Sequence, residues 1–109
     1  DPETGRPQMQ EAPESEFELE VELVLLAMGF VHPIHEGMLV ELGMDLDARG
    51  NVACDDNKMT SVDGVFVAGD MTRGQSLVVW AIAEGREAAR SVDLHLMGET
   101  QLPHSQFLK

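Results

Sequence analysis

Only one cysteine, Cys54, occurs in the 109 residues of this chain. A single thiol cannot close an internal disulfide, and an iron–sulfur site needs several thiolates. Asp55 and Asp56 follow it directly and disfavour the thiolate, which speaks against a nucleophile. Tyrosine is absent and aromatics make up 5%, so the core must come from Val, Leu, Met and Ala. Basic residues are scarce: 7 Lys and Arg stand against 20 Asp and Glu, a net charge of −13. Nothing in that balance displaces phosphate counterions, so nucleic-acid binding is excluded as a function. It equally disfavours an anionic membrane surface. The acidity reads first as a soluble surface. No apolar run reaches transmembrane length. The start, Asp1-Pro2-Glu3, does not read as a signal peptide, and a cytoplasmic location is expected. The length allows one domain at most.

What the sequence does contain is concentrated in residues 60–97. Val65-Phe66-Val67-Ala68 is apolar without alternation, the pattern of a strand covered on both faces in a parallel sheet. Gly69-Asp70 follows at its carboxyl end, where open α/β sheets bind ligands. Gly69 permits close approach to the backbone, and Asp70 offers acceptor oxygens to sugar or polyol hydroxyls. Gly74-Gln75-Ser76 then opens a helix expected from about Ser76 to Met97, with Gly98 as its stop. The unpaired N–H groups at its start favour an anionic or electron-rich ligand atom. Leu77, Ala81, Gly85, Ala88, Val92 and Leu96 make the expected buried face. Glu84, Arg86, Glu87, Arg90 and Asp93 make the solvent face. Gly85 is explained by close packing rather than by helix stability.

Upstream, residues 1–16 are polar and read as a flexible acidic loop or linker. Residues 17–29 alternate at first, with Phe17, Leu19, Val21 and Leu23 opposite Glu18, Glu20 and Glu22. They then become apolar throughout, as in a strand entering a sheet interior, and Gly29 ends them. His32 and His35 flank Pro33, which breaks helical spacing, and no further ligand lies nearby to complete a metal site. Residues 37–43 read as one or two helical turns stopped by Gly43. Residues 44–53 read as a hairpin with a glycine turn. The aspartates around it lack the order of a calcium loop. Cys54 to Lys58 reads as an exposed turn.

These residues resemble a known family. Thr60-Ser61-Val62, Gly64-Val65-Phe66, Ala68-Gly69-Asp70 and the run Arg73-Gly74-Gln75-Ser76-Leu77-Val78-Val79-Trp80-Ala81-Ile82, with Glu84-Gly85-Arg86, are similar to the C-terminal FAD-binding segment of two-dinucleotide-binding-domain flavoproteins. Within them, the chain resembles the glutamate synthase small (beta) subunit family. The similarity reaches back through Leu25-Leu26-Ala27-Met28-Gly29-Phe30. It implies an α/β, partial FAD/NAD(P)-binding (Rossmann-like) fold, with few strands, a hairpin and one long C-terminal helix. Residues 17–103 would be the C-terminal part of the oxidoreductase module and 104–109 a tail.

The resemblance also assigns roles. Asp70 would bind the ribityl chain of FAD, and Gly69 would sit against the pyrophosphate region. The amides of Leu77, Val78 and Val79 would face the pyrimidine end of the flavin. Gly29 would lie near both cofactors, and Arg73 and Gly74 beside the nicotinamide route. Trp80 would be core or interface. The family implies no catalytic acid or base and no metal in this segment. FAD and NADPH are the cofactors of the intact protein, and iron–sulfur clusters lie outside this stretch. Electrons would pass from NADPH through FAD to the clusters and to a large-subunit partner that makes glutamate. The strand–GxGxxG–helix phosphate loop is absent, so a C-terminal fragment is expected, inactive alone and binding FAD weakly or not at all. Two alternatives stand beside this: a non-enzymatic module that self-associates through strand edges, or a segment of a related flavoprotein such as dihydropyrimidine dehydrogenase.

Overall fold

The computed structural model describes residues 11–105. Three helices order the chain: α1 (Met38–Glu41), α2 (Asp70–Arg73) and α3 (Val78–Met97). No continuous strand forms among the described residues; pairing is limited to two isolated antiparallel bridges, Leu46↔Val52 and Met59↔Phe66. No helix among them is long and apolar enough to cross a membrane.

Each bridge sits in a tight hairpin. In the first, Asp47 N–H donates to Asn51 O at 2.7 Å and Ala53 N–H to Asp45 O at 2.9 Å. Gly50 takes φ +81°, the left-handed region that suits glycine in such a turn. The Asp47 carboxylate also accepts the Asn51 and Arg49 N–H groups. Those bonds, the one from Asn51 foremost, hold its carboxyl below the usual aspartate range. In the second hairpin Thr60 N–H donates to Val65 O at 2.8 Å and Val67 N–H to Lys58 O at 2.9 Å, around the Asp63-Gly64 turn.

This corrects the parallel strand expected at Val65–Ala68. Val67 is buried, but Val65, Phe66 and Ala68 are half-buried. The stretch pairs backwards with the residues just before it. A parallel strand needs a neighbour brought back by a crossover, and the described residues supply none. Residues 17–29 likewise have no strand partner. Both of their apolar faces are exposed, from Phe17 at 80% to Leu25 at 80% and Met28 at 84%. This arm carries much of the molecular length: the extents are 62 × 35 × 27 Å and the radius of gyration is 19.4 Å, against about 13 Å for a compact domain of this size.

The core is small. Leu39 of α1, Val52 of the first hairpin and Val67 of the second pack together, with Met44, Cys54 and Met71 against them. Cys54, expected to be exposed, is therefore half-buried, and its Sγ lies 3.3 Å from Thr72 Oγ1. Val52 N–H donates to Met71 O at 2.9 Å, which fixes the first hairpin against α2.

α3 starts two residues later than the sequence suggests, after an N-cap at Leu77, and ends at Gly98 in the αL conformation. Its buried residues are Ala83, Glu84, Glu87 and Ser91. That reverses the expected face: Leu77 and Leu96 are 70% and 72% exposed, and Ala81 and Gly85 are exposed too. A Cβ on Gly85 would meet nothing within 4 Å, so no close packing explains that glycine here. Donors turned the helix over. Glu84, 1% exposed, accepts Gly69 N–H on Oε2 at 2.8 Å and Arg73 Nε–H on Oε1 at 2.7 Å, with Lys58 Nζ at 3.5 Å from Oε1. Glu87 accepts Ser105 N–H at 2.8 Å and pairs with His104 Nδ1 at 2.7 Å, which docks the C-terminal strap. Arg90 Nε–H adds a bond to Leu102 O at 3.1 Å.

Three outcomes follow from this packing. Leu39→Ala should cost about 2–4 kcal/mol in urea unfolding, against less than about 0.5 for the exposed Val40→Ala. Glu84→Ala leaves a buried N–H and two cations short of a partner. Those cations are partly solvated, so the loss should be about 2–3 kcal/mol, and Glu84→Gln, which keeps an acceptor, should cost less. For Glu87, the Ser105 N–H and the His104 contact outweigh burial and lower its pKa. Its contribution is thus complete above the ordinary glutamate range and disappears as pH falls through the lowered value. The stability difference between the unmodified chain and Glu87→Gln, followed against pH, should be flat at neutrality and vanish in acid.

Candidate functional site

The second hairpin ends at Gly69, and the chain there turns sharply. Gly69 has φ +71° and ψ −145°, a conformation costly for any residue with a side chain. α2 follows at once and is closed by Gly74 at φ +83°. Glu84 holds both ends of this short element, through the Gly69 N–H at one and the Arg73 guanidinium at the other. Arg73 also lies over the Trp80 ring, 4.7 Å from its centroid, which places the half-buried Trp80 at the joint between α2 and α3.

The other face of α2 borders a cleft of about 370 Å³. Asp70, Met71, Gly74 and Gln75 line it on one side, residues 30–34 on another, and Asn51 of the first hairpin completes it. Gln75 crosses to the arm: its Nε2 donates to Phe30 O at 2.6 Å. Gly29 has φ +76°, which favours glycine, and a Cβ there would displace the Gln75 amide, 2.7 Å away at Oε1. Gly74 is tight as well, since a Cβ there would lie 2.8 Å from Arg49 Nη2 and 3.5 Å from Asn51 Nδ2.

The residues singled out from the sequence thus take these places. Asp70 and Gly74 line the cleft, Gly69 is buried at the turn that starts α2, and Gly29 sits against Gln75 at the edge. The exposed Asp70 carboxylate meets no hydrogen-bond partner among the described residues and is free to accept from a ligand. Leu77, Val78 and Val79 stand at the start of α3, outside the lining of this cleft. Their side chains are exposed, and α3 has no side-chain cap. Their amides therefore retain the free donors of any helix start.

Sequence reasoning missed three residues. Glu84 was assigned to solvent because a lone carboxylate on a helix usually faces water. Its one signal was its place in Ala83-Glu84-Gly85, beside the turn it serves. Gln75 and Asn51 gave no signal. Asn51 is fully buried, yet neither its Nδ2 nor its Oδ1 has a partner.

A second, more open hollow of about 760 Å³ lies between the Cys54–Lys58 turn and the strap at His104 and Ser105. No group of three or more His, Cys, Asp or Glu able to hold a metal occurs among the described residues. His32 and His35 stack on each other with centroids 4.1 Å apart, and His35 Nε2 lies 2.8 Å from Gly50 O. They tie the arm to the first hairpin. What the cleft offers chemically is an unpaired carboxylate, an unpaired amide, the His32 imidazole, and glycine backbone that a ligand can approach closely.

Comparison with known proteins identifies the family. The family described as pyridine nucleotide-disulphide oxidoreductase matches residues 4–85. The chain is 65% identical over 89 residues to the glutamate synthase [NADPH] small chain of Mycobacterium tuberculosis, covering 82% of this chain and 18% of that protein. It is 43% identical over 101 residues to the glutamate synthase [NADPH] small chain of Bacillus subtilis, covering 93% and 20%. With the glutamate synthase [NADH] of Schizosaccharomyces pombe it shares 46% over 100 residues, covering 91% and 5%. The chain therefore spans about a fifth of the length of the small chains it matches. No solved structure matches it. The matched segment contains the Gly69–Gly74 turn and most of the residues around the cleft, and the chain belongs to the pyridine nucleotide-disulphide oxidoreductase family, with the FAD/NAD(P)-binding fold that this membership implies.

Proposed function

We propose that this chain forms the FAD-binding C-terminal segment of an NADPH-dependent oxidoreductase subunit of the glutamate synthase type. The observation that carries the reading is the gathering of Gly29, Asp70, Gly74 and the unpaired Asn51 around one cleft, with Gly69 at the turn beside it. Glycines that admit close approach and unpaired polar groups between apolar walls suit a ligand with a flat ring and a hydroxylated chain. When bound, FAD would supply the hydride and electron chemistry.

The chain's own residues bind and orient. Asp70 accepts hydrogen bonds from the ribityl hydroxyls, and Gly69 lets the pyrophosphate region lie against the backbone. Glu84 keeps the turn that presents Asp70 in place. The amides of Leu77, Val78 and Val79 put the positive end of the α3 dipole toward the pyrimidine end, where negative charge collects on reduction. Gly74 borders the nicotinamide route. Relatives bearing both NADPH and NADH in their names match the chain, and the small chains carry the NADPH name. Electrons would leave through iron–sulfur clusters in other parts of the subunit toward a large-subunit partner. By itself the chain should be catalytically inert and bind flavin weakly or not at all.

A second reading rests on the exposed apolar surface. Phe17, Leu25, Leu26 and Met28 on the arm, with Leu77 and Val78 on α3, stay in solvent at 68% or more. Surface of this kind drives association. Light scattering separates the two readings: a dimer with no flavin response favours an association module.

The direct test is a segment exchange. This chain replaces the matching part of the Mycobacterium tuberculosis small chain. The product should purify with FAD that NADPH bleaches, and Asp70→Ala in it should weaken FAD binding about tenfold. An exchanged protein that folds but holds no FAD, beside a parent that does, would overturn the proposal.

A further inference from the structure

We infer that Asn51 is a ligand-contacting residue of the cleft, and that with Asp70 it reads the hydroxylated chain of the flavin rather than its ring. The inference rests on the flavin reading above and adds a residue and a chemical specificity to it.

The observations come from three directions. Asn51 is 0% exposed, and both of its side-chain polar atoms lack a partner. An amide in that state costs stability unless something pairs with it, so native folds rarely keep one without a use. Its backbone is fully engaged: the N–H donates to the Asp47 carboxylate at 2.9 Å and the O accepts from Asp47 N–H at 2.7 Å. The side chain adds only the smallest of the contacts that lower the Asp47 pKa and makes no full hydrogen bond within the hairpin. Finally, Asn51 lines the same cleft as Asp70, and the Val52–Met71 hydrogen bond holds its hairpin to α2.

The chemistry selects the ligand group. An ionised Asp70 only accepts, whereas an amide presents an acceptor and two donors. A row of hydroxyls, each both donor and acceptor, satisfies the two side chains together. A ring edge satisfies the amide but offers the carboxylate only its N–H. Both Asn51 polar atoms are shut off from solvent, so the chain must enter as a wall side chain gives way.

The test uses the isotope-labelled chain itself, following the Asn51 side-chain NH₂ resonances. The probes are FMN and 10-carboxymethyl-7,8-dimethylisoalloxazine, a lumiflavin derivative that keeps the ring with its N3–H and lacks the hydroxylated chain. FMN should shift the Asn51 NH₂ pair saturably, and the lumiflavin derivative should not. An equal response to both probes would assign Asn51 to the ring and overturn the specificity. Shifts at residues 69–74 with none at Asn51 would overturn the contact and leave the flavin reading standing. A silent titration would overturn the contact too, while the segment exchange decides the flavin reading separately. An Asn51 NH₂ that exchanges only with one bound water and ignores FMN would make the amide a hydration site. Asn51→Ala gives a second measurement. Because the amide is unpaired, Tm should fall by no more than roughly 3 °C, with FMN shifts at residues 69–74 weakened. A fall of roughly 10 °C or more would mark Asn51 as structural.

Discussion

A carboxylate taken out of water sets the shape of this molecule. Glu84 carries a charge into a nearly closed position, and that is tolerable only with donors waiting for it. One is the Gly69 N–H, one the Arg73 guanidinium, and Lys58 stands a little farther off. The first two bracket α2. A helix of four residues has no stability of its own, so this element exists because α3 grips it at both ends. The orientation of Asp70 and the course of the chain to Gly74 follow from that grip.

The same logic explains why α3 lies the way it does. Its apolar residues make a plausible buried stripe, yet the loops beneath it offer N–H groups and cations rather than apolar surface. Glu84 and Glu87 answer those donors, and the aliphatic stripe turns outward. With a core built around Leu39, Val52 and Val67, polar pairing decides the docking of the largest helix.

How much of this was legible in the sequence depended on how local the cause was. The turns at Gly43, Gly50 and Gly98 were readable because a left-handed backbone asks for glycine wherever it occurs. The hairpin at 44–53 and the span of α3 were readable from periodicity and punctuation. The cleft was legible in part: Gly69-Asp70 and Gly74 marked a sharp turn, and Asp70 and Gly74 do line one cavity. What stayed hidden was every contact between residues far apart in the chain. Glu84 to Gly69 spans 15 residues, Asn51 to Gly74 spans 23, and Gln75 to Phe30 spans 45, and no local pattern records such pairs. The strand expected at Val65–Ala68 failed for a related reason. Its apolar run states that both faces want cover, and says nothing about which backbone will pair with it.

The distribution of costs across the fold points back to the cleft. Gly29, Gly69 and Gly74 all hold positive φ, and each costs more chain entropy than a residue with a side chain would. Asn51 forgoes its hydrogen bonds, and Asp70 is left without a partner beside apolar walls. Elsewhere the departures are turns and one buried hydroxyl without a partner, Ser91 Oγ on α3. Folding alone gives no reason to collect an unpaired amide, an unpaired carboxylate and tight glycines around 370 Å³ of space. The proposed ligand, approaching the backbone closely and pairing with both polar groups, would offset these costs together.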